Sequence, residues 1–336
     1  MRSKSGINYD PQLIRPSTVP SFGKAGIAAK AARTPRLTKP ITSELGGVSP
    51  TIVVPGRWSA ADLRFQAEHI ATQRLHNCGF NCIAAQVVIV SAQWPQKQEF
   101  YAALRAAFAA APDRAAWYPG CDARVAGARQ AHPNFDAVGG TAQRTMLWGL
   151  DLADGAESAF GTEYFGPVLG IAELPGTGLE FLNAAVDVAN DRLHGTLGAN
   201  LIVDPRTQRR LGIQLRECIA RLRYGTIGIN AWTGVGYLTA RATWGAFPGH
   251  TLEDIQSGRG VVHNSLLLHR PERTVVYGPF RPLPRSILTG TLSITPKPPW
   301  FVTNRTAATT GRRLTEFAAR PRWAALPAIF ASALRG

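Results

Sequence analysis

Two short stretches hold residue types that could do chemistry. In Asn77-Cys78-Gly79-Phe80-Asn81-Cys82-Ile83-Ala84 a cysteine follows a tight glycine turn by three residues. Upstream, Ser43-Glu44-Leu45-Gly46-Gly47-Val48-Ser49-Pro50 sets one carboxylate before a flexible Gly-Gly pair. A thiolate is a strong nucleophile where its surroundings lower its pKa. A carboxylate beside it can take the thiol proton or activate a water. By residue type alone Cys82 reads rather as a small core residue, because free cysteine is among the most buried types. The same region holds the zinc-type ligands His69, His76, Cys78 and Cys82. Their spacing makes a poor finger pattern and no second ligand pair follows, so no metal centre is expected.

These residues need elements to position them. The β-branched run 50–55 between two prolines predicts a strand just after Glu44. Ser59 is placed to cap a helix over 60–76, with Leu63, Ala67, Ile70 and Ala71 on one face. A buried strand is expected from Cys82 to Val90, then an amphipathic helix over 96–111 ended by Pro112. Strands at 168–172, 197–203 and 225–230 alternate with helices at 179–190 and 209–222. Such alternation predicts an α/β fold with a mainly parallel sheet flanked by helices. Residues 314–334 read as an amphipathic helix broken at Pro321 and Pro327. Residues 1–22 read as a loose lead-in, and 23–33 as one short helix ended by Thr34-Pro35.

The two chemical stretches resemble the E-L-G-G-x-S-P and N-x-G-x-x-C-x-A signatures of the aldehyde dehydrogenase superfamily. Two further elements follow in the family's order. Glu163-Tyr164-Phe165-Gly166-Pro167-Val168 is similar to E-x-F-G-P-V, and Gly225-Thr226-Ile227-Gly228-Ile229-Asn230 to G-T-x-x-I-N. Glu44 lies 38 residues before Cys82. The resemblance implies a catalytic domain of that fold and NAD(P)-dependent oxidation of an aldehyde substrate to a carboxylic acid. It implies that Cys82 attacks the carbonyl and that Glu44 activates the water that hydrolyses the thioester. It also implies that Glu163 binds the nicotinamide ribose, that Phe165 packs beside the nicotinamide, and that Leu45 and Gly46 line the nicotinamide pocket through their backbone.

The sequence departs from that pattern in places. Only about forty residues precede Glu44, where family members carry most of a Rossmann-like coenzyme domain. The expectation is therefore a truncated coenzyme domain, an incomplete NAD or NADP site, and impaired activity of the isolated chain. Phe80 stands where many members carry Gln, and Gln86-Val87 replaces a basic residue. Three regions are expected: an irregular basic lead-in or coenzyme-domain remnant at 1–36, the catalytic region at 37–282, and a basic tail with a helix at 283–336. The alternative function is a non-catalytic remnant, or an interaction protein that retains the catalytic-domain fold.

Composition narrows the remaining classes. The 336 residues carry a net charge of +15. Residues 1–40 hold +7 and 270–336 hold +9, leaving the body between them at −1. A nucleic-acid-binding domain would place its basic footprint on the folded body, so no nucleic acid is expected as a partner. No apolar run approaches the ~20 residues of a membrane span. Four cysteines and the lack of a signal-peptide pattern predict a cytoplasmic, reducing context. The resemblance leaves a homo-oligomer open.

Overall fold

A computed structural model describes residues 42–336 except 252, 289, 290 and 292, together with residues 28, 32 and 34. The expected lead-in over 1–22, and all but two residues of the expected helix over 23–33, lie outside the described residues. The core is one eight-stranded sheet. In chain order its strands are β1 (Ser49–Val53), β2 (Ala85–Ser91), β3 (Phe135–Gly139), β4 (Arg144–Trp148), β5 (Val168–Leu174), β6 (Gly198–Ile202), β7 (Thr226–Ile229) and β8 (Thr274–Tyr277). Their spatial order is β8-β7-β6-β1-β2-β5-β4-β3, with every pair parallel except the edge pair β3–β4. This is the α/β architecture that the alternation of elements predicts.

All seven residues of β2 are buried, as the centre of a parallel sheet requires. Its side chains alternate between two cores. Val87 and Ile89 face one, Val88 and Val90 the other. The second core is closed by α1 (Ala60–Leu75) and α2 (Lys97–Ala110). The first is closed by α3 (Cys121–Ala131), α4 (Gly178–Asp191), α5 (Pro205–Leu211) and α6 (Ile213–Arg221). Ser59 caps α1 as its position predicts, in a reciprocal pair with Asp62.

The structure departs from the sequence reading at two places, the helix over 209–222 and Pro327, and agrees with it at Pro321. The single helix expected over 209–222 is two, α5 and α6, because Gly212 adopts φ +53 between them. The C-terminal helix is interrupted between α7 (Ala307–Ala319) and α8 (Leu326–Ala333), and Pro321 lies in the gap. Pro327, however, does not break α8. It sits in the first turn, where a backbone N–H has no helical partner to lose. The tail beyond 283 also folds back onto the body. Phe301 stacks on Phe65 and His69 of α1 with ring centroids 5.4 Å apart, and Lys297 pairs with Glu68 at 2.8 Å.

Candidate active site

The site forms at the amino ends of the parallel strands. The Glu44–Val48 strap enters β1, the Asn77–Ala84 loop enters β2, and Glu163–Pro167 enters β5. Short straps at these ends, rather than loops at the carboxyl ends, hold the predicted residues.

The strap before β1 is laid in by close backbone contacts. Ser43 and Glu44 pair antiparallel with Arg259 and Gly258. Leu45 N–H donates to Ser257 O at 2.9 Å, Ser257 Oγ to Gly46 O at 2.9 Å, and Val48 N–H to His194 O at 2.7 Å. A side chain at Gly47 would meet the Gly195 Cα at 2.9 Å, and one at Gly46 would overlap the Glu163 carboxylate. Both glycines are therefore demanded by space. Trp244 Nε1–H donates to Glu44 Oε1 at 3.2 Å and fixes that carboxylate.

The loop before β2 is a run of left-handed backbone, with φ +51 at Asn77, +56 at Cys78 and +82 at Gly79. Asparagine and glycine tolerate this conformation, whereas at Cys78 it is strained. Asn81 Nδ2 donates to His76 O at 2.7 Å and Asn77 Nδ2 to Phe80 O at 3.2 Å, closing the loop on itself. Ala84 N–H bonds Asn81 O at 3.0 Å, so Cys82 sits at the crest of a turn. Ile83 then enters a small core with Leu197, Trp232 and Trp244, against which Cys82 packs. Cys82 is half-buried, whereas Cys78, Cys121 and Cys218 are buried.

The structure brings Cys82, Glu44, Gly46 and Glu163 together. The Cys82 thiol lies within electrostatic reach of the Glu44 and Glu163 carboxylates. Burial first, then the charges of Glu44 and Glu163, hold that thiol well above its usual pKa. The resting cysteine is therefore a protonated thiol beside a carboxylate. Glu163 is 8% exposed and its Oε2 has no hydrogen-bond partner. Burial pushes its pKa up to about 8, against the pull of Arg74. Phe165 belongs to an aromatic cluster. Its backbone is left-handed at φ +41, and its ring packs against Phe80 at 5.7 Å and Tyr118 at 4.9 Å. Leu45 is half-buried in the strap, with its N–H already engaged by Ser257.

Two positioning residues escaped the motifs. Arg74 of α1 is 1% exposed and donates to Gly79 O at 3.2 Å, Ala84 O at 3.4 Å and Ala85 O at 3.2 Å, so it ties both ends of the cysteine loop to one guanidinium. Its signal was an arginine in register with the apolar face of Leu63, Ala67, Ile70 and Ala71. Gln86 of β2 donates to Ala159 O at 2.9 Å and Thr162 O at 2.7 Å and accepts from Tyr164 N–H at 2.9 Å. That clamp holds the strap carrying Glu163; the sequence showed only that Gln86 replaced a basic residue. His69 is buried against Phe301, and among the described residues no three His, Cys, Asp or Glu side chains come together that could hold a metal ion.

Comparison with known proteins follows the same lines. The family model described as "Aldehyde dehydrogenase family" matches residues 21–123. No curated protein matches the chain. Among solved structures, the chain is similar to gamma-glutamyl-gamma-aminobutyraldehyde dehydrogenase from Burkholderia cenocepacia. The identity is 24% and the TM-score 0.53, over 71% of this chain and 46% of that one. It is similar to an NAD-dependent aldehyde dehydrogenase from Sinorhizobium meliloti at 20% identity and TM-score 0.54, over 72% of this chain and 46% of that one. It is also similar to NADP-dependent glyceraldehyde-3-phosphate dehydrogenase from Bacillus halodurans at 20% identity and TM-score 0.53, over 70% and 47%. At these identities the likeness is one of fold, and the chain spans about half the length of the structures it matches. The family model over residues 21–123 and the likeness of fold agree with the resemblance read from the four motifs.

Proposed function

We propose, taking the aldehyde dehydrogenase superfamily as the premise, that this chain carries the catalytic apparatus for oxidising an aldehyde to a carboxylic acid with NAD or NADP. The observation that carries the reading is the juxtaposition of the Cys82 thiol with the Glu44 and Glu163 carboxylates.

In this reading the Cys82 Sγ attacks the aldehyde carbon as its proton passes through Glu44 to solvent, so a thiohemiacetal oxyanion forms on the cysteine and Glu44 is left ionised. NAD or NADP, when bound, supplies the hydride acceptor that takes the thiohemiacetal to a thioester. Glu44 then accepts a proton from the water that adds to the thioester carbonyl. The C–S bond breaks, the acid leaves, and the Cys82 thiol is restored. Glu163 and Gly46 fit the nicotinamide end of such a cofactor. The unpartnered Oε2 of Glu163 can accept from a ribose hydroxyl, and the missing side chain at Gly46 leaves a flat face beside it.

Ester hydrolysis uses the same thiol and the same water but no hydride step, so it tests this reading directly. We expect the purified chain to hydrolyse p-nitrophenyl acetate without any dinucleotide. Cys82→Ala should abolish the activity. Glu44→Gln should release one burst of nitrophenol and then stall as the acyl-enzyme. Undiminished turnover by Cys82→Ala, or none by the wild-type chain, would refute the assignment.

A further inference from the structure

The opposite edge of the sheet carries a second, larger feature. At the carboxyl ends of the strands a cleft of about 950 Å³ opens between the loop after β1 and the start of α5 after β6. Here the strand order reverses. The chain leaves β1 to build β2 on one side and returns to build β6 on the other. In open parallel sheets that crevice is where ligands bind, and the volume lies within the range of small-molecule sites. None of the residues assigned to the active site lines it.

The walls are charged in one sense. Arg57, Arg206 and Arg209 line the cleft, all three exposed, and none makes an ion pair or a side-chain hydrogen bond among the described residues. Asp62, at the rim, is already paired with Arg281 at 2.9 Å. The floor is stiff and polar. Gln96 exchanges two 2.8 Å hydrogen bonds with the backbone of Trp58, and Trp94 Nε1 donates to Gly56 O at 2.8 Å. Asp204 is 5% exposed. Its Oδ1 accepts from the backbone of Arg206 and Thr207, while its Oδ2 has no partner. Trp58 Nε1, also buried, has none either. An acceptor and a donor are thus left unsatisfied on the same side of Gly56, where an added side chain would overlap Asp204 and meet Trp58 Nε1 at 2.8 Å. Buried polar atoms without partners are uncommon and call for an explanation. Both atoms are closed to solvent, so a hydroxyl, which both donates and accepts, satisfies the two only when the contact at Gly56 opens to admit it.

We propose that this cleft is a second binding site, for a small hydroxylated anion, in which Arg57, Arg206 and Arg209 take the anionic group and Asp204 with Trp58 takes a hydroxyl. Arginine forks suit phosphate and carboxylate alike, so the class is a phosphorylated or carboxylated polyol. The site is independent of the chemistry assigned to Cys82.

Calorimetric titration of the full chain with glycerol 3-phosphate, inorganic phosphate and glycerol tests the proposal. Glycerol 3-phosphate should bind saturably. Inorganic phosphate should bind about tenfold more weakly, and glycerol not measurably. An Arg206→Ala/Arg209→Ala double variant changes only exposed side chains and should weaken glycerol 3-phosphate by about tenfold or more, in line with lost charge-assisted bonds. Asp204→Asn keeps the helix cap and should bring glycerol 3-phosphate down to the affinity of phosphate. Cys82→Ala should bind like the wild type. Equal affinity for phosphate and glycerol 3-phosphate, or unchanged binding by the double variant, would overturn the proposal. So would the absence of any binding.

Discussion

Glu163 shows how a single buried carboxylate links stability to the site. Its folded pKa lies near 8, above the ordinary carboxylate value, because burial outweighs the nearby Arg74. A carboxyl whose pKa rises on folding binds its proton more tightly in the native state, so stability falls as pH rises from about 4.5 to about 8. Glu163→Gln removes that term. Its melting temperature relative to wild type should therefore be higher at pH 8 than at pH 5, and an identical difference at both would contradict the assignment. Gly79 is the matching steric case. It sits at φ +82, and a side chain there would collide with Gly166 O. Gly79→Ala should cost about 2 kcal/mol or more in urea denaturation, through backbone strain and that contact together. A loss under half a kcal/mol would mean the loop can relax.

Elements place these residues, and much of that placement was readable in advance. The strands at β1, β2, β5, β6 and β7 announce themselves as short β-branched runs, and α1 by its capping serine. The two edge strands, β3 and β8, and β4 beside β3 did not. Phe135–Gly139 is half-exposed and carries too weak a pattern, and β4 begins with Arg144, whose guanidinium is buried on Phe108 O at 2.8 Å and Pro112 O at 2.7 Å. β8 follows Pro271-Glu272-Arg273 and is only four residues long. Glu44 and Cys82 were legible because their own neighbours carry the signature. Arg74, Gln86, Trp244 and Ser257 were not, because their roles exist only once distant strands are adjacent. Gln86 gives the sharpest test of this. Gln86→Leu removes three hydrogen bonds between β2 and the Glu163 strap, and should cost about 2–4 kcal/mol. The Tyr164 amide should then exchange faster than in wild type; unchanged exchange would show that the strap is held by other contacts.

At the scale of the whole molecule, one parallel sheet serves two edges. The amino edge gathers the thiol and carboxylates, and the carboxyl edge opens the arginine-lined cleft. Between them the inner strands β1, β2, β5 and β6 are almost wholly buried, whereas β3 is half-exposed and β8 largely so. Among the described residues no helix is long and apolar enough to cross a membrane. Hydrogen exchange under native conditions should be slowest in the four inner strands and faster in β3 and β8, since protection follows burial of the opened segment. Uniform protection across all eight strands would indicate that the sheet opens only by global unfolding.

The measurement closest to the central claim is iodoacetamide alkylation followed over pH, with each cysteine mapped by mass spectrometry. Cys82 is half-buried and the other three cysteines are buried, so Cys82 should be labelled first. Its rate should climb only in the alkaline range, because burial and the two carboxylates hold the thiol protonated. In Glu44→Gln one of those negative charges is gone, and the profile should move to lower pH. Labelling at Cys78 ahead of Cys82, or a profile that Glu44→Gln leaves in place, would contradict a catalytic pair at Cys82 and Glu44.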